Sequence, residues 1–125
     1  MRKVLLSIKP TFVEQIKKGS KRFEYRRRIF NDSKVTHMLI YASSPICKVV
    51  AECRIEEIHR ASLSVLWNYT FQYSGISEDF YQKYFEGLEE GFAIEIAEVK
   101  FFDEPKLLHD YHVKRAPQSF CYVDD

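Results

Sequence analysis

The stretch GSKRFEYR, residues 19–26, alternates aromatic and charged side chains with the period of a β-strand. Phe23 and Tyr25 fall on one side of such a strand, whereas Glu24 and Arg26 fall on the other. We therefore expect the two aromatic rings to pack into a core, and the carboxylate and the guanidinium to project together from the opposite face.

A short strand and a short helix are predicted ahead of this stretch. Residues 3–8 are mostly apolar and predict a buried strand. The helix is expected to begin near Pro10, with Thr11 as its N-cap and Glu14 completing a capping box. Gly19 should end this helix after about two turns, because glycine tolerates the left-handed conformation that commonly follows a last helical turn.

The remainder of the chain predicts further strands and two further helices. Apolar residues change to helical spacing after Ser62, and Ser77 is the expected N-cap of a second helix that ends at Gly87. The expected class is α+β, a small curled sheet or β-barrel of five or six mostly antiparallel strands with three short helices. The expected strands cover residues 3–8, 21–28, 35–42, 47–58, 91–102 and 119–123.

Length and composition predict a single domain over residues 1–125. With 46% hydrophobic and 30% charged residues, the chain has the composition of an ordinary globular protein. Its apolar runs are much shorter than the roughly 20 residues of a membrane span, and no signal-peptide cleavage pattern follows the N-terminal Met-Arg-Lys. Three cysteines without a C-x-x-C pair are typical of a reduced intracellular protein, so a cytoplasmic location without membrane attachment is expected.

Charge is distributed unevenly along the chain, although the net charge is only +1. Residues 1–28 contain ten Lys or Arg against two acidic residues, and the remaining residues contain nine basic against sixteen acidic ones. The basic segment predicts an anionic partner, and the acidic remainder is a candidate face for a protein partner. The alternative is that the basic residues protect an edge strand from pairing with other sheets.

No cofactor and no metal site is predicted. The four glycines do not form a phosphate-binding loop or a dinucleotide fingerprint, and no zinc-finger or nucleophile-elbow spacing occurs. His109, His112 and Cys121 form a weak metal-ligand pattern without a second tight ligand pair, so we interpret them as ordinary surface or tail residues.

Several segments together carry a family resemblance. The pattern G-x-K-x-x-E-x-R over residues 19–26, preceded by Ser-Ile-Lys-Pro at residues 7–10, resembles the ASCH domain (activating signal cointegrator homology) of the PUA-like superfamily. Residues 40–52 and 116–122 are similar to further segments of that family. The resemblance covers nearly the whole chain and implies a six-stranded PUA-like barrel with a cleft that receives RNA or a modified nucleobase.

The resemblance implies that Lys21, Glu24 and Arg26 point into this cleft. A carboxylate accepts from an exocyclic amine or a ring N–H, and a guanidinium binds phosphate or carbonyl oxygens, so together they could read one nucleotide. Lysines would add phosphate attraction and aromatic rings would stack on unpaired bases, which favours single-stranded RNA or a modified nucleotide as the ligand. The expected binding residues are Lys9, Lys21, Glu24, Arg26, Tyr41, Ser43, Ser44, Gln118, Ser119 and Phe120.

Two other functions and one structural interpretation stay open at this point. Some ASCH proteins are similar in motif yet act as enzymes, deacylating acetylated cytidine or cleaving RNA; the deacylating group has a Lys and a Thr where this chain has Lys21 and Glu24. Glu24 could still act as a general base through a water while Lys21 stabilises an oxyanion, which makes these two the catalytic candidates. The chain could instead sense a small ligand or serve as a coregulator that binds a protein. Glu24 and Arg26 could also form only a structural ion pair.

Overall fold

The computed structural model describes residues 1–124 and contains six strands, three α-helices and two short 3-10 segments. The predicted α+β class and the number of strands and helices are confirmed. The 3-10 segments cover Phe71–Tyr73 and Leu108–Tyr111. The helices are α1 (Pro10–Lys18), α2 (Leu63–Thr70) and α3 (Glu78–Tyr84). The strands are β1 (Arg2–Ile8), β2 (Phe23–Arg26), β3 (His37–Ala42), β4 (Lys48–Ser62), β5 (Glu90–Lys106) and β6 (Phe120–Asp124).

The six strands form one mixed sheet in the order β2-β5-β4-β3-β1-β6. Strands β1 and β3 pair in parallel, and the other four neighbouring pairs are antiparallel. The sheet is open rather than the closed barrel that the family resemblance implies, since β2 and β6 lie at its two ends. Across that gap the Arg26 side chain donates to the carbonyl oxygens of Ser7 and Ser119.

The ends of α1 follow from its proline and its glycine. Lys9 is the N-cap without a side-chain capping hydrogen bond, and Pro10 is the first helical residue. The predicted capping box of Thr11 and Glu14 is therefore wrong, because the fixed φ of proline starts the helix earlier and leaves Thr11 inside its first turn. Gly19 ends the helix in the left-handed region with a φ of 84°, as predicted.

Strand β2 is shorter than predicted, whereas β4 and β5 are longer. The amide of Lys21 still donates to the carbonyl of Gln15 at the end of α1, so the strand begins only at Phe23. The N-cap of α3 agrees with prediction, because the Ser77 hydroxyl accepts from the amide of Phe80. No helix within residues 1–124 is long and apolar enough to cross a membrane.

Strand β2 has an apolar and a polar side, and both are buried. Phe23 and Tyr25 join an aromatic cluster with the fully buried Tyr81 of α3, which confirms their predicted place in a core. Glu24 projects from the other side, where its cross-strand neighbour is Ile94, a member of the larger aliphatic core. The polar side of β2 therefore faces the interior of the curled sheet rather than bulk solvent.

Candidate functional site

A cavity of about 270 Å³ lies where β2 approaches the end of β1. Strand β2 and the residues just before it supply charged groups, and α1 and α3 supply aromatic rings. The local sequence explains this position. The turn at Gly19 leads the chain from the end of α1 to β2. The alternation along β2 then places Glu24 and Arg26 on the same side of the strand.

Lys21 is the most deeply buried charged residue of the cavity, with 2% of its surface exposed. Its Nζ donates to the carbonyl oxygen of Ser74 at 2.6 Å and lies 5.0 and 5.2 Å from the ring centroids of Phe12 and Tyr25. Burial lowers the pKa of the Lys21 ammonium below its ordinary value of 10.5, and the Glu24 carboxylate partly opposes this shift. An ammonium held in this way has two further N–H groups with which to bind an oxygen atom of a ligand.

Glu24 and Arg26 form a largely buried ion pair, with 3.0 Å between the carboxylate Oε2 and Nη2. The Nη2 atom of Arg26 also donates to the Ser7 carbonyl at 2.9 Å, and Nη1 donates to the Ser119 carbonyl at 3.2 Å. Its Nε is buried and has no hydrogen-bond partner within residues 1–124. Arg26 thus holds the end of β2 against β1 and the approach to β6, and its contact with Glu24 fixes the carboxylate in the cavity wall.

Helix α3 and Phe85, the residue that follows it, present aromatic rings to two different surroundings. Phe80 and Tyr84 line the cavity, whereas Tyr81 and Phe85 are fully buried in the aromatic cluster. Phe80 is 38% exposed, and the Nζ atom of Lys9 lies 5.6 Å from the centroid of the Phe80 ring. The Tyr84 hydroxyl donates to the carbonyl oxygen of Tyr25 at 3.1 Å, and burial raises its pKa above the ordinary value of 10.

Five of the predicted binding residues line this one cavity. They come from the end of β1, the segment before β2, β2 itself and the chain ahead of β6. The five residues are Lys9, Lys21, Glu24, Arg26 and Gln118.

The other five predicted residues lie outside the cavity lining, for three reasons. Tyr41 alternates with the core residues of β3 and is buried on the opposite face of the sheet. Ser43 and Ser44 belong to the turn after β3. Ser119 reaches the site only through its carbonyl oxygen, and the ring of Phe120 packs at the Phe30 and Tyr122 rings instead.

Sequence reasoning missed the aromatic part of the lining, chiefly Phe12, Phe80 and Tyr84. Helical spacing by itself predicts that the aromatic residues of α3 form one core-facing stripe. The four aromatic residues form two adjacent pairs separated by four positions, at 80 and 81 and at 84 and 85. Together they have more apolar surface than one side of a two-turn helix can bury. This excess of apolar surface is the feature of the sequence from which the aromatic lining could have been predicted.

Sequence comparison finds several relatives, and no model of a known protein family matches the chain. An ASCH domain-containing ribonuclease of Zymomonas mobilis is 32% identical over 92 residues, which are 74% of this chain and 62% of that protein. The large ribosomal subunit protein uL22 of Ureaplasma parvum is 31% identical over 91 residues, which are 73% of this chain. The chain spans 29% of the uL22 protein and 62% of the ribonuclease, which is less than two thirds of either relative.

Comparison with solved structures extends the similarity to almost the whole chain. The crystal structure of ASCH from Zymomonas mobilis superimposes with a TM-score of 0.88 at 27% identity, covering 98% of this chain and 88% of that one. The N-terminal domain of Staphylothermus marinus McrB gives a TM-score of 0.52 at 14% identity, covering 88% of this chain and 78% of that one, a likeness of fold alone.

Proposed function

Because this chain belongs to the ASCH domain family, we propose that it binds single-stranded RNA by holding one unpaired nucleotide in the cavity beside β2. The observation that carries the proposal is the meeting of a buried ammonium, a buried carboxylate and an aromatic wall in one open cavity. Burying such charges costs free energy that their pairing at best offsets, so their place in a cavity favours a binding role. The cavity is slightly smaller than the roughly 300–1,000 Å³ of most ligand pockets, which suits a single nucleotide.

Each lining group has a separate role in this proposal. The base stacks on the Phe80 ring, an interaction that contributes about 1 to 3 kcal/mol per base. The Glu24 carboxylate accepts a hydrogen bond from an exocyclic amine or a ring N–H. Lys21 and Lys9 attract phosphate or carbonyl oxygens, and Arg26 positions Glu24. Recognition of an unpaired base should favour single strands over duplex RNA.

The experiment measures fluorescence anisotropy of a short labelled single-stranded RNA, with the unlabelled single strand and the unlabelled duplex of the same sequence as separate competitors. We expect Phe80→Ala to weaken binding by about tenfold, because the stacking surface is lost. The matched control is Phe71→Ala, since Phe71 is also an exposed aromatic residue, 48% exposed, but lies outside the cavity lining. Equal affinity of the two variants, or stronger competition by the duplex than by the single strand, would contradict the proposal.

A second candidate function is cleavage of the bound RNA, favoured by the Zymomonas relative that is named a ribonuclease. In this reaction Glu24 removes the proton of a ribose 2′-hydroxyl, whose oxygen forms a new bond to phosphorus. The bond from phosphorus to the 5′-oxygen breaks, and protonated Lys21 supplies a proton to that oxygen. The structural feature that favours cleavage is that Glu24 and Lys21 lie in the same cavity and interact electrostatically.

Incubating the same labelled RNA with wild-type protein and separating the products by size tests this second candidate. Cleavage that both Glu24→Gln and Lys21→Met abolish, while the exposed variant Glu90→Gln retains it, would support an enzyme. Intact RNA in the presence of tight binding would leave binding as the function, and cleavage that survives both substitutions would indicate a contaminating nuclease.

A further inference from the structure

Three potential metal ligands meet on the face of the sheet that α2 covers. Glu57 and His59 are on β4 and Glu95 is on β5. The His59 Nε2 atom lies 2.7 Å from Glu95 Oε1 and 3.9 Å from Glu57 Oε2, and ligand atoms of all three lie within 4.8 Å of one another. None of the three residues lines the cavity beside β2.

The strand register places two negative charges directly opposite each other. Glu57 is the cross-strand partner of Glu95, immediately after a register shift between Ile55 and Glu57. Like charges in this position destabilise a sheet unless a positive group lies between them. The arginines of the same strand are engaged elsewhere, because Arg54 pairs with Glu56 and Glu98, and Arg60 pairs with Glu90.

Aromatic side chains fix the imidazole of this cluster. The Tyr69 ring of α2 lies 4.7 Å from the His59 ring, and the Phe23 ring lies 5.9 Å from it. A recess of about 460 Å³ lined by Glu57, His59 and Tyr69 leaves open space beside the ligand atoms. This packing restricts the position of the imidazole ring, and the recess leaves room for water as an additional ligand.

We propose that Glu57, His59 and Glu95 bind a first-row divalent cation of the Zn²⁺ class. One imidazole nitrogen with two carboxylate oxygens is a ligand set that such ions accept, whereas Mg²⁺ prefers oxygen ligands alone. With bond lengths of about 2.0 to 2.2 Å, ligand atoms around a tetrahedral ion lie roughly 3.3 Å apart. The two separations from His59 Nε2, 2.7 and 3.9 Å, lie on either side of that value. The cation would neutralise the opposed carboxylates and bind independently of RNA.

The experiment is calorimetric titration of the chelator-treated full chain with Zn²⁺, carried out in a Cys47→Ser background because Cys47 is an exposed thiol. We expect one ion per chain, affinity lowered about tenfold or more in Glu57→Gln and in His59→Ala, and no displacement by excess Mg²⁺. The matched controls are Glu56→Gln, an exposed glutamate on the same strand, and His109→Ala, an exposed histidine elsewhere. Both controls should bind as the background protein does.

Two results would overturn the proposal. One is no stoichiometric binding of Zn²⁺ to the background protein, in which case His59 only forms ion pairs with the two carboxylates. The other is binding that Glu57→Gln and His59→Ala leave unchanged. Glu57 is exposed, so Glu57→Gln should fold normally, and circular dichroism with a thermal melt of each variant separates lost coordination from lost structure.

Discussion

The two faces of β2 bury side chains of opposite chemistry to a similar degree. Tyr25 on one face is 5% exposed and Glu24 on the other is 7% exposed. The aromatic face contributes to folding, because the Tyr25 ring packs edge-on to Tyr81 and its hydroxyl bonds to Thr70 at 2.6 Å. The polar face carries charges whose burial is only offset by their pairing. Similar burial therefore accompanies a structural role on the aromatic face, and on the polar face it accompanies the binding role proposed above.

The largest expected effect tests the aromatic face. Tyr25→Ala should reduce the free energy of unfolding by about 3 to 5 kcal/mol, because it empties a large space in the aromatic cluster. Tyr25→Phe should cost only about 1 kcal/mol, since it removes the hydrogen bond to Thr70 and keeps the ring. Urea denaturation followed by circular dichroism measures both values. A loss below about 1 kcal/mol in Tyr25→Ala would show that this face is not essential for folding.

The next effect tests the polar face. Glu24→Gln should cost about 3 kcal/mol, because it leaves the buried Arg26 and Lys21 without their carboxylate. Glu90→Gln breaks a comparable ion pair on the surface, in which the Arg60 side chain is 65% exposed and the Glu90 side chain is 47% exposed. This variant should show no measurable change in the free energy of unfolding. The comparison is made by urea denaturation of both variants. Equal losses would mean that burial does not distinguish the two pairs.

A smaller effect follows from the lowered pKa of Lys21. Between the folded pKa and 10.5 the unfolded chain binds more protons than the folded chain, so stability should rise with pH in that window. Tyr25 acts in the opposite direction, because its pKa is raised to about 12 and its contribution is lost only above pH 10. RNA affinity should fall over the window in which stability rises, since Lys21 loses its charge.

Urea denaturation and RNA anisotropy from neutral pH to about 9.5 measure these two trends. Lys21→Met should flatten both of them, and the control Lys18→Met, at an exposed position at the end of α1, should retain both. A pH dependence that persists in Lys21→Met would assign the titration to another group.

The smallest effect concerns a residue that belongs to neither face. Arg22 is exposed, and its guanidinium lies 4.2 Å from the centroid of the Tyr73 ring. Arg22→Gln should leave stability unchanged and lower the dependence of RNA affinity on salt by about one unit of slope, as expected for one lost phosphate contact. Anisotropy titrations at several salt concentrations measure this slope. An unchanged slope would place the RNA backbone away from Arg22.

Much of this arrangement could be predicted because local rules decided it. The alternation along residues 23–26 correctly paired Phe23 with Tyr25 and Glu24 with Arg26, and Gly19 correctly ended α1. The family resemblance correctly indicated the class of fold. These features depend on the residues of one segment, and the period of a strand or the conformation of one glycine is enough to specify them.

The remainder depended on contacts between distant segments. That Arg26 would bind the carbonyls of Ser7 and Ser119 could not be predicted, because it requires the curvature of the whole sheet. The same curvature brings the Phe80 ring of α3 to the cavity and leaves Tyr41 on the opposite face. Alternation predicts on which side of its own strand a residue lies, but the tertiary arrangement determines which residues of other segments that side contacts.

The proposed nucleotide site is the polar face of β2. The most direct measurement is a titration of isotope-labelled protein with a single nucleoside monophosphate, followed by amide chemical shifts in two-dimensional NMR. We predict that shifts concentrate at residues 21–26, 74–84 and 118, and that Glu24→Gln weakens them. Shifts confined to residues 54–60 and 90–98, with the amides around Lys21 and Glu24 unchanged at saturation, would contradict nucleotide binding at this face.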